Sequence, residues 1–334
     1  MVSPLASSPP LAFAPPLARW RSVVGWLGGL ALAAVLLSAA AAKALDPQAF
    51  AEQIRGEKLD FVLPAMAVAL VALAIEAGLG AALALGLRRR WILVAATLLT
   101  LFFLFLTGRN YWRDAHHLPL PSEGCGCWGA LVERTPAEAF WQDLALLLPA
   151  LGLAWMGPLR GPRVRGETFR LALVVVAAAG TVLFAWRAPQ LPLDDLATRL
   201  RPGRTLAGLC AGGGADRVCL DGLLADGGAA RQVVVLGVLG DPDFLAAVPE
   251  LNRYALAGRG PALTVLAPFT NEEAMAFNFT AAPAFTPRSA PAGLLRPLYR
   301  RLPRSFLVEG GRVISTWTGL PPLAELAAEP ATRG

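Results

Sequence analysis

The chain has 334 residues, a formal net charge of +6 and a mean hydropathy of +0.51, with 55% hydrophobic and only 16% charged residues. A soluble domain carries about 25% charged residues, so a wholly water-soluble protein is excluded. The positive charge does not mark a nucleic-acid binder. Arginines cluster at the ends of apolar runs, as topology determinants do, and nucleic acid is not among the expected partners.

In chain order, residues 1–22 form a Pro-rich tail, with Pro4–Pro16 reading as disordered. About 20 apolar residues are needed to cross the hydrocarbon core, and five segments qualify: 23–45, 61–87, 91–107, 139–157 and 171–187. The small residues Ala40, Ala41 and Ala42 also allow the first to be a cleaved signal peptide, although its apolar run exceeds a usual signal core. Orientation follows the basic residues in short loops. Arg19, Arg21, Arg88, Arg89, Arg90, Arg160, Arg163, Arg165 and Arg170 fall on one side, against Arg55, Lys58, Arg109, Arg113 and Arg134 on the other. The richer side is cytoplasmic. Five spans then put the N-terminus inside and the domain after residue 189 outside, in the periplasm, for a multi-pass protein of a bacterial inner membrane.

Three ionisable residues, Glu76, Asp143 and Lys43, lie in or near the spans. Glu76 falls deep in the second, about 22 Å from its outer end at 1.5 Å per residue, where an isolated charge is costly. It serves either a hydrogen bond that fixes the bundle or a proton relay and quinone contact. Asp143, at the start of the fourth span, is level with Lys43 near the end of the first, so the two can interact. It is an interfacial carboxylate or a proton acceptor for the cysteines nearby.

Cys125, Cys127, Cys210 and Cys219 all fall on the side where disulfides persist. The first two sit in Gly124-Cys125-Gly126-Cys127-Trp128-Gly129. Glycines supply the bend that a bridge over one intervening residue demands, and a tight, exposed bridge is exchange-competent. A structural pair, or a metal site with His116 and His117, are the other readings, though no standard zinc spacing occurs. Cys210 and Cys219 flank a glycine-rich loop, which suits a structural disulfide or a second exchanging pair.

The order of Ala42-Lys43-Ala44-Leu45-Asp46-Pro47-Gln48-Ala49-Phe50-Ala51, Leu63-Pro64, Glu76-Ala77-Gly78-Leu79-Gly80 and Cys125-Gly126-Cys127-Trp128-Gly129 resembles the methylamine utilisation protein MauE family, related to DoxX-like membrane proteins. The resemblance covers about residues 20–157, with Trp128 where phenylalanine is usual. It implies a four-helix membrane bundle over 23–157. It also implies a role in maturing a disulfide-rich periplasmic enzyme of methylamine metabolism. Bundles with cysteines at the outer end of the fourth helix are also similar to vitamin K epoxide reductase, which implies quinone as a cofactor.

After the cytoplasmic loop and fifth span of 158–189, residues 190–334 change pattern. Arg231–Val238 reads as a buried strand, Asp243–Leu256 as a helix, Ala262–Ala267 as a strand, and Asn271 as the cap of a further helix. Leu302–Ile314 reads as a hairpin turning at Gly310-Gly311. Over about 190–330 this resembles thioredoxin-like domains of the TlpA and MauD type. The resemblance implies a cis Pro303 facing the active cysteines. Yet the turn that should hold Cys-x-x-Cys is Gly240-Asp241-Pro242-Asp243-Phe244. Without a thiolate there, the domain either docks a partner around Pro303 or substitutes Cys210 and Cys219.

The expected fold class is thus an all-α membrane bundle with a fifth span, followed by an α/β thioredoxin-like domain lacking Cys-x-x-Cys. Its expected function is thiol–disulfide exchange for a periplasmic client or thioredoxin-like partner, with a non-enzymatic docking scaffold as the alternative. Trp128 and Pro303 are the candidate binding residues. A transporter is not supported, because the five spans show no inverted halves.

Overall fold

The computed structural model describes residues 16–118, 134–159, 166–211 and 217–328. Cys125, Cys127 and Trp128 lie outside the described residues.

Among the described residues, five helices are long and apolar enough to cross a membrane. They are α1 (Pro16–Leu45), α3 (Ala65–Ala84), α4 (Arg90–Ala115), α5 (Pro136–Met156) and α6 (Glu167–Arg187). This is a multi-pass membrane protein. The central helix α1 packs against α3 and α5, α4 closes on α5, and α6 lies against α3 with a smaller contact to α1. Leu32, Leu36, Leu83, Ile92, Leu93 and Leu147 fill the core between them. Leu98, Phe105, Val175 and Val176 are exposed on the outer faces, as lipid contact requires.

A further helix stands where the sequence reading had only a loop. Short α2 (Pro47–Gly56) follows α1 after one residue and buries Ala51 and Ile54. Asp46 is its N-cap, accepting from the Ala49 N–H at 3.0 Å, and Pro47 occupies its first position. Both are strong helix-start signals. The second span is correspondingly shorter than expected: α3 begins at Ala65, after Pro64, rather than at residue 61. Glu76 is therefore eleven residues into the helix, about 16 Å from its start at 1.5 Å per residue.

At the opposite end of the bundle, the arginines that set the expected topology also satisfy helix ends. Arg21 donates to the Met156 carbonyl at 3.2 Å, Arg170 to the Leu85 carbonyl at 3.2 Å, and buried Arg88 to the Ala154 carbonyl. These carbonyls at the C-terminal ends of α3 and α5 lack intrahelical partners and sit at the negative pole of each helix.

After α6 a 3-10 turn (Ala188–Gln190) and a short α7 (Asp194–Ala197) lead into the α/β domain. There β1 (Cys210–Ala211) and β2 (Val218–Cys219) form a small antiparallel pair. The main sheet holds β3 (Gln232–Leu236), β4 (Ala262–Ala267), β5 (Arg288–Ser289), β6 (Arg304–Glu309) and β7 (Arg312–Thr318), in the order β5-β4-β3-β6-β7. β4 and β5 run parallel to β3, while β6 is antiparallel to β3 and β7 to β6. With α8 (Pro242–Ala257), α9 (Asn271–Ala281) and α11 (Leu323–Ala328) in their places along the chain, this is the thioredoxin-like order of strands and crossovers. Helix α9 starts one residue earlier than expected: Thr270 is its cap, in a capping box with Glu273, and Asn271 is its first helical residue.

Strand β3 is buried on both faces and alternates between two cores. Val234 and Leu236 join Leu206, Leu220, Leu294 and Phe306 on one face. Val233 and Val235 join Phe244, Leu251, Phe277 and Leu323 on the other.

Candidate functional site

The helix directions gather one end of the bundle under the α/β domain. The C-terminal ends of α1, α4 and α6, the N-terminal ends of α3 and α5, and α2 all meet there. Residues 119–133, between α4 and α5, lie outside the described residues.

Inside it, Lys43 on α1 reaches across to Glu76 on α3, with Nζ 2.5 Å from Oε1 and both side chains buried. Lys43 also stands over the rings of Phe50 and Phe103, at 4.8 and 4.7 Å from their centroids. The expected approach of Lys43 to Asp143 does not occur. The Lys43 stem points along α1 toward the middle of α3, and Asp143 on α5 is met instead by Arg134 at 3.2 Å. Asp143 is buried. A second polar group closes the cleft between α2 and α4. There Glu57 accepts from Asn110 at 2.9 Å and pairs with Arg109. Lys43 and Glu76, with Glu57 and Asn110, border a cavity of about 350 Å³ whose walls are otherwise mostly apolar.

Two arginines, Arg296 and Arg300, fix the α/β domain to this end, and a third, Arg304, ties β6 to α7. Arg296, just after the short α10 (Ala292–Leu295), pairs with Asp46 at 3.3 Å and with Glu52 of α2. Arg300 donates to the carbonyls of Ala188 at 2.5 Å and Leu191 at 3.3 Å, where α6 ends. Arg304 at the start of β6 is buried and meets Asp195 at 2.9 Å and Asp194 at 3.5 Å. Burial works against the Arg296 charge, yet the Asp46 and Glu52 carboxylates outweigh it and hold its pKa above the usual value. Burial dominates at Asp46, whose pKa stays raised although Arg296 opposes the shift.

The sequence-derived thiol sites separate in space. Cys210 and Cys219 are register partners across β1 and β2, bonded to each other, with Cα atoms 3.9 Å apart. Their neighbours Ala211 and Val218 pack on the sheet face that α10 covers. The turn where Cys-x-x-Cys would stand begins α8, which packs on the other face. There Asp241 caps the helix, accepting from the N–H groups of Asp243 at 2.9 Å and Phe244 at 3.1 Å, and Phe244 is fully buried. Cys210 and Cys219 thus do not take the position of the missing pair; the sheet lies between. The Leu302–Pro303 bond is cis. Pro303 itself is buried, not lining an open groove, and flanking Arg304 and Thr318 are tied to Asp194 and Asp195 of α7. Among the described residues, no three His, Cys, Asp or Glu side chains group as a metal site requires.

The docking residues Asp46, Glu52 and Arg296 escaped the sequence reading. Asp46-Pro47 was a legible helix start, but nothing local to residue 296 announces a partner 250 positions away.

Residues 21–156 match the family described as Methylamine utilisation protein MauE. No curated protein matches the chain. Among solved structures, a crystal structure of the thiol:disulfide interchange protein DsbE from Chlorobium tepidum aligns with 38% of this chain and 91% of its own. The identity is 18% and the TM-score 0.28. Residues 21–156, with their Lys43, Asp46-Pro47 and Glu76, thus match the MauE family, and an α/β domain with a thioredoxin-like order of strands follows them.

Proposed function

We propose that this protein is a membrane thiol–disulfide redox factor that supports disulfide formation or assembly of a client on the outer side of a bacterial inner membrane. The observation that carries the reading is the docking itself. A thioredoxin-like domain without its own thiolate is held by Arg296 on Asp46 and Glu52, at the bundle end to which the sequence assigns Cys125 and Cys127. In this reading the membrane pair performs the exchange, and the soluble domain presents the client or a separate thioredoxin-like partner. The basic residues favour N-terminus inside and the docked domain outside, where disulfides persist. A methylamine dehydrogenase-type client is what the family name supports.

Thiol trapping of the protein in membranes across a redox titration tests this, with Cys125→Ala and Cys210→Ala as controls. The expected result is a Cys125/Cys127 pair cycling between about −150 and −280 mV, the range of exchange-active proteins. Two pairs that stay oxidised below about −300 mV, or a Cys125 and Cys127 that never bridge, would establish the docking scaffold instead. The turn Gly240–Phe244, capped by Asp241 and holding no cysteine, favours that second reading for the soluble domain taken alone.

A further inference from the structure

The cavity beside Lys43 and Glu76 is built for more than a structural ion pair. A pair serving only to join α1 and α3 would be sealed by packing, with both carboxylate oxygens satisfied. Here Oε1 of Glu76 accepts from the Lys43 ammonium, while Oε2 is buried and, among the described residues, accepts no hydrogen bond. A buried carboxylate oxygen without a donor is unfavourable and points to a donor supplied from elsewhere. Lys43 is held over two aromatic rings, which orients its ammonium and leaves N–H groups beyond the one given to Glu76.

The rest of the cavity defines the body of its occupant. About 350 Å³ lies within the range of small-molecule sites, where apolar walls surround a few convergent polar groups. Ala72 of α3 and Leu99 of α4 line it near mid-span. Phe102, also lining it, is 41% exposed in the middle of a membrane-spanning helix, so the cavity reaches the lipid-facing surface. A ligand enters from the bilayer.

We propose that this cavity binds a membrane-dissolved molecule with an apolar body and a hydroxyl-bearing head, the hydroxyl donating to Glu76 Oε2 and accepting from Lys43 Nζ. Isoprenoid quinols and hydroxylated lipids share that chemistry. The inference does not rest on the thiol reading, since no cysteine takes part.

Anaerobic equilibrium binding to the full chain in nanodiscs tests it with three probes: decylubiquinol, its O-methylated diether and monoolein. Saturable binding of decylubiquinol, monoolein or both is expected. Decylubiquinol alone identifies a quinol site, and monoolein alone identifies a lipid site. Ala72→Trp, which fills the cavity and leaves the ion pair, weakens that binding by about tenfold or more. The diether, which has no hydroxyl to donate, binds the unaltered protein about tenfold more weakly than decylubiquinol where the quinol is the ligand. Absence of saturable binding by both hydroxylated probes overturns the proposal. So does a folded Ala72→Trp protein that binds as tightly as the parent, or a diether that binds as tightly as the quinol. If Ala72→Trp fails to fold, Leu99→Trp fills the same space from α4.

Discussion

Lys43 and Glu76 meet where water does not screen them, so each depends on the other. Removing one partner leaves a bare buried charge. Lys43→Met or Glu76→Leu alone is expected to destabilise the bundle by about 3–5 kcal/mol, whereas the double variant returns most of that loss. Thermal unfolding in mixed micelles checks this, and additive single effects would refute a direct pairing. Asp46 answers to pH instead. Its folded pKa is raised, chiefly by burial, so the folded state holds a proton more tightly than the unfolded chain. Stability from this group is therefore gained as pH falls through the window just above the ordinary aspartate value and is lost as pH rises through it. Asp46→Asn keeps an acceptor for the Ala49 N–H and is expected to flatten that slope, read as the pH dependence of the unfolding midpoint. An unchanged slope would assign it to another group.

Helix α2 is the element through which the two halves communicate. Too short to span a membrane, it buries Ala51 and Ile54 against the bundle and turns Glu52 toward Arg296. Glu52 is half exposed, which limits the worth of the contact to the modest range of surface pairs. Glu52→Arg or Arg296→Glu alone should loosen the docked domain and speed protease cleavage of the 188–193 connection roughly 3- to 10-fold. Combining the two substitutions should restore part of the protection, because the acidic side chain at 296 still faces Asp46. Cleavage that stays at the parent rate in both single variants would mean that Arg300, through the carbonyls of Ala188 and Leu191, holds the domain unaided.

At the scale of the whole molecule, five spans separate an arginine-rich end from the end bearing the soluble domain. At the arginine-rich end, Arg21, Arg88 and Arg170 are positioned by helix-terminal carbonyls. At the other, Arg109 pairs with Glu57 and Arg134 with Asp143. In a chain whose native cysteines are replaced by alanine, a cysteine at exposed Leu256 should react with an impermeant maleimide in spheroplasts. One at exposed Leu159 should react only after the membrane is opened. The reverse labelling would invert the topology.

The spans, the alternating buried strands and the Gly310-Gly311 turn were legible in the sequence. They depend on local hydrophobic period and turn chemistry, which neighbouring residues carry by themselves. The absence of a thiol between β3 and α8 was equally plain. Partnership was not. Whether Glu76 meets Lys43 or another group, and whether Asp143 meets Lys43 or Arg134, depends on helix rotation and depth, and the packing of α1, α3 and α5 sets both. The face of the sheet that receives Cys210–Cys219 is settled by the crossovers, and the meeting of Arg296 with Asp46 by the docking of two separately folded cores. Sequence spacing carries no trace of contacts made across such distances along the chain; only the tertiary structure brings them together.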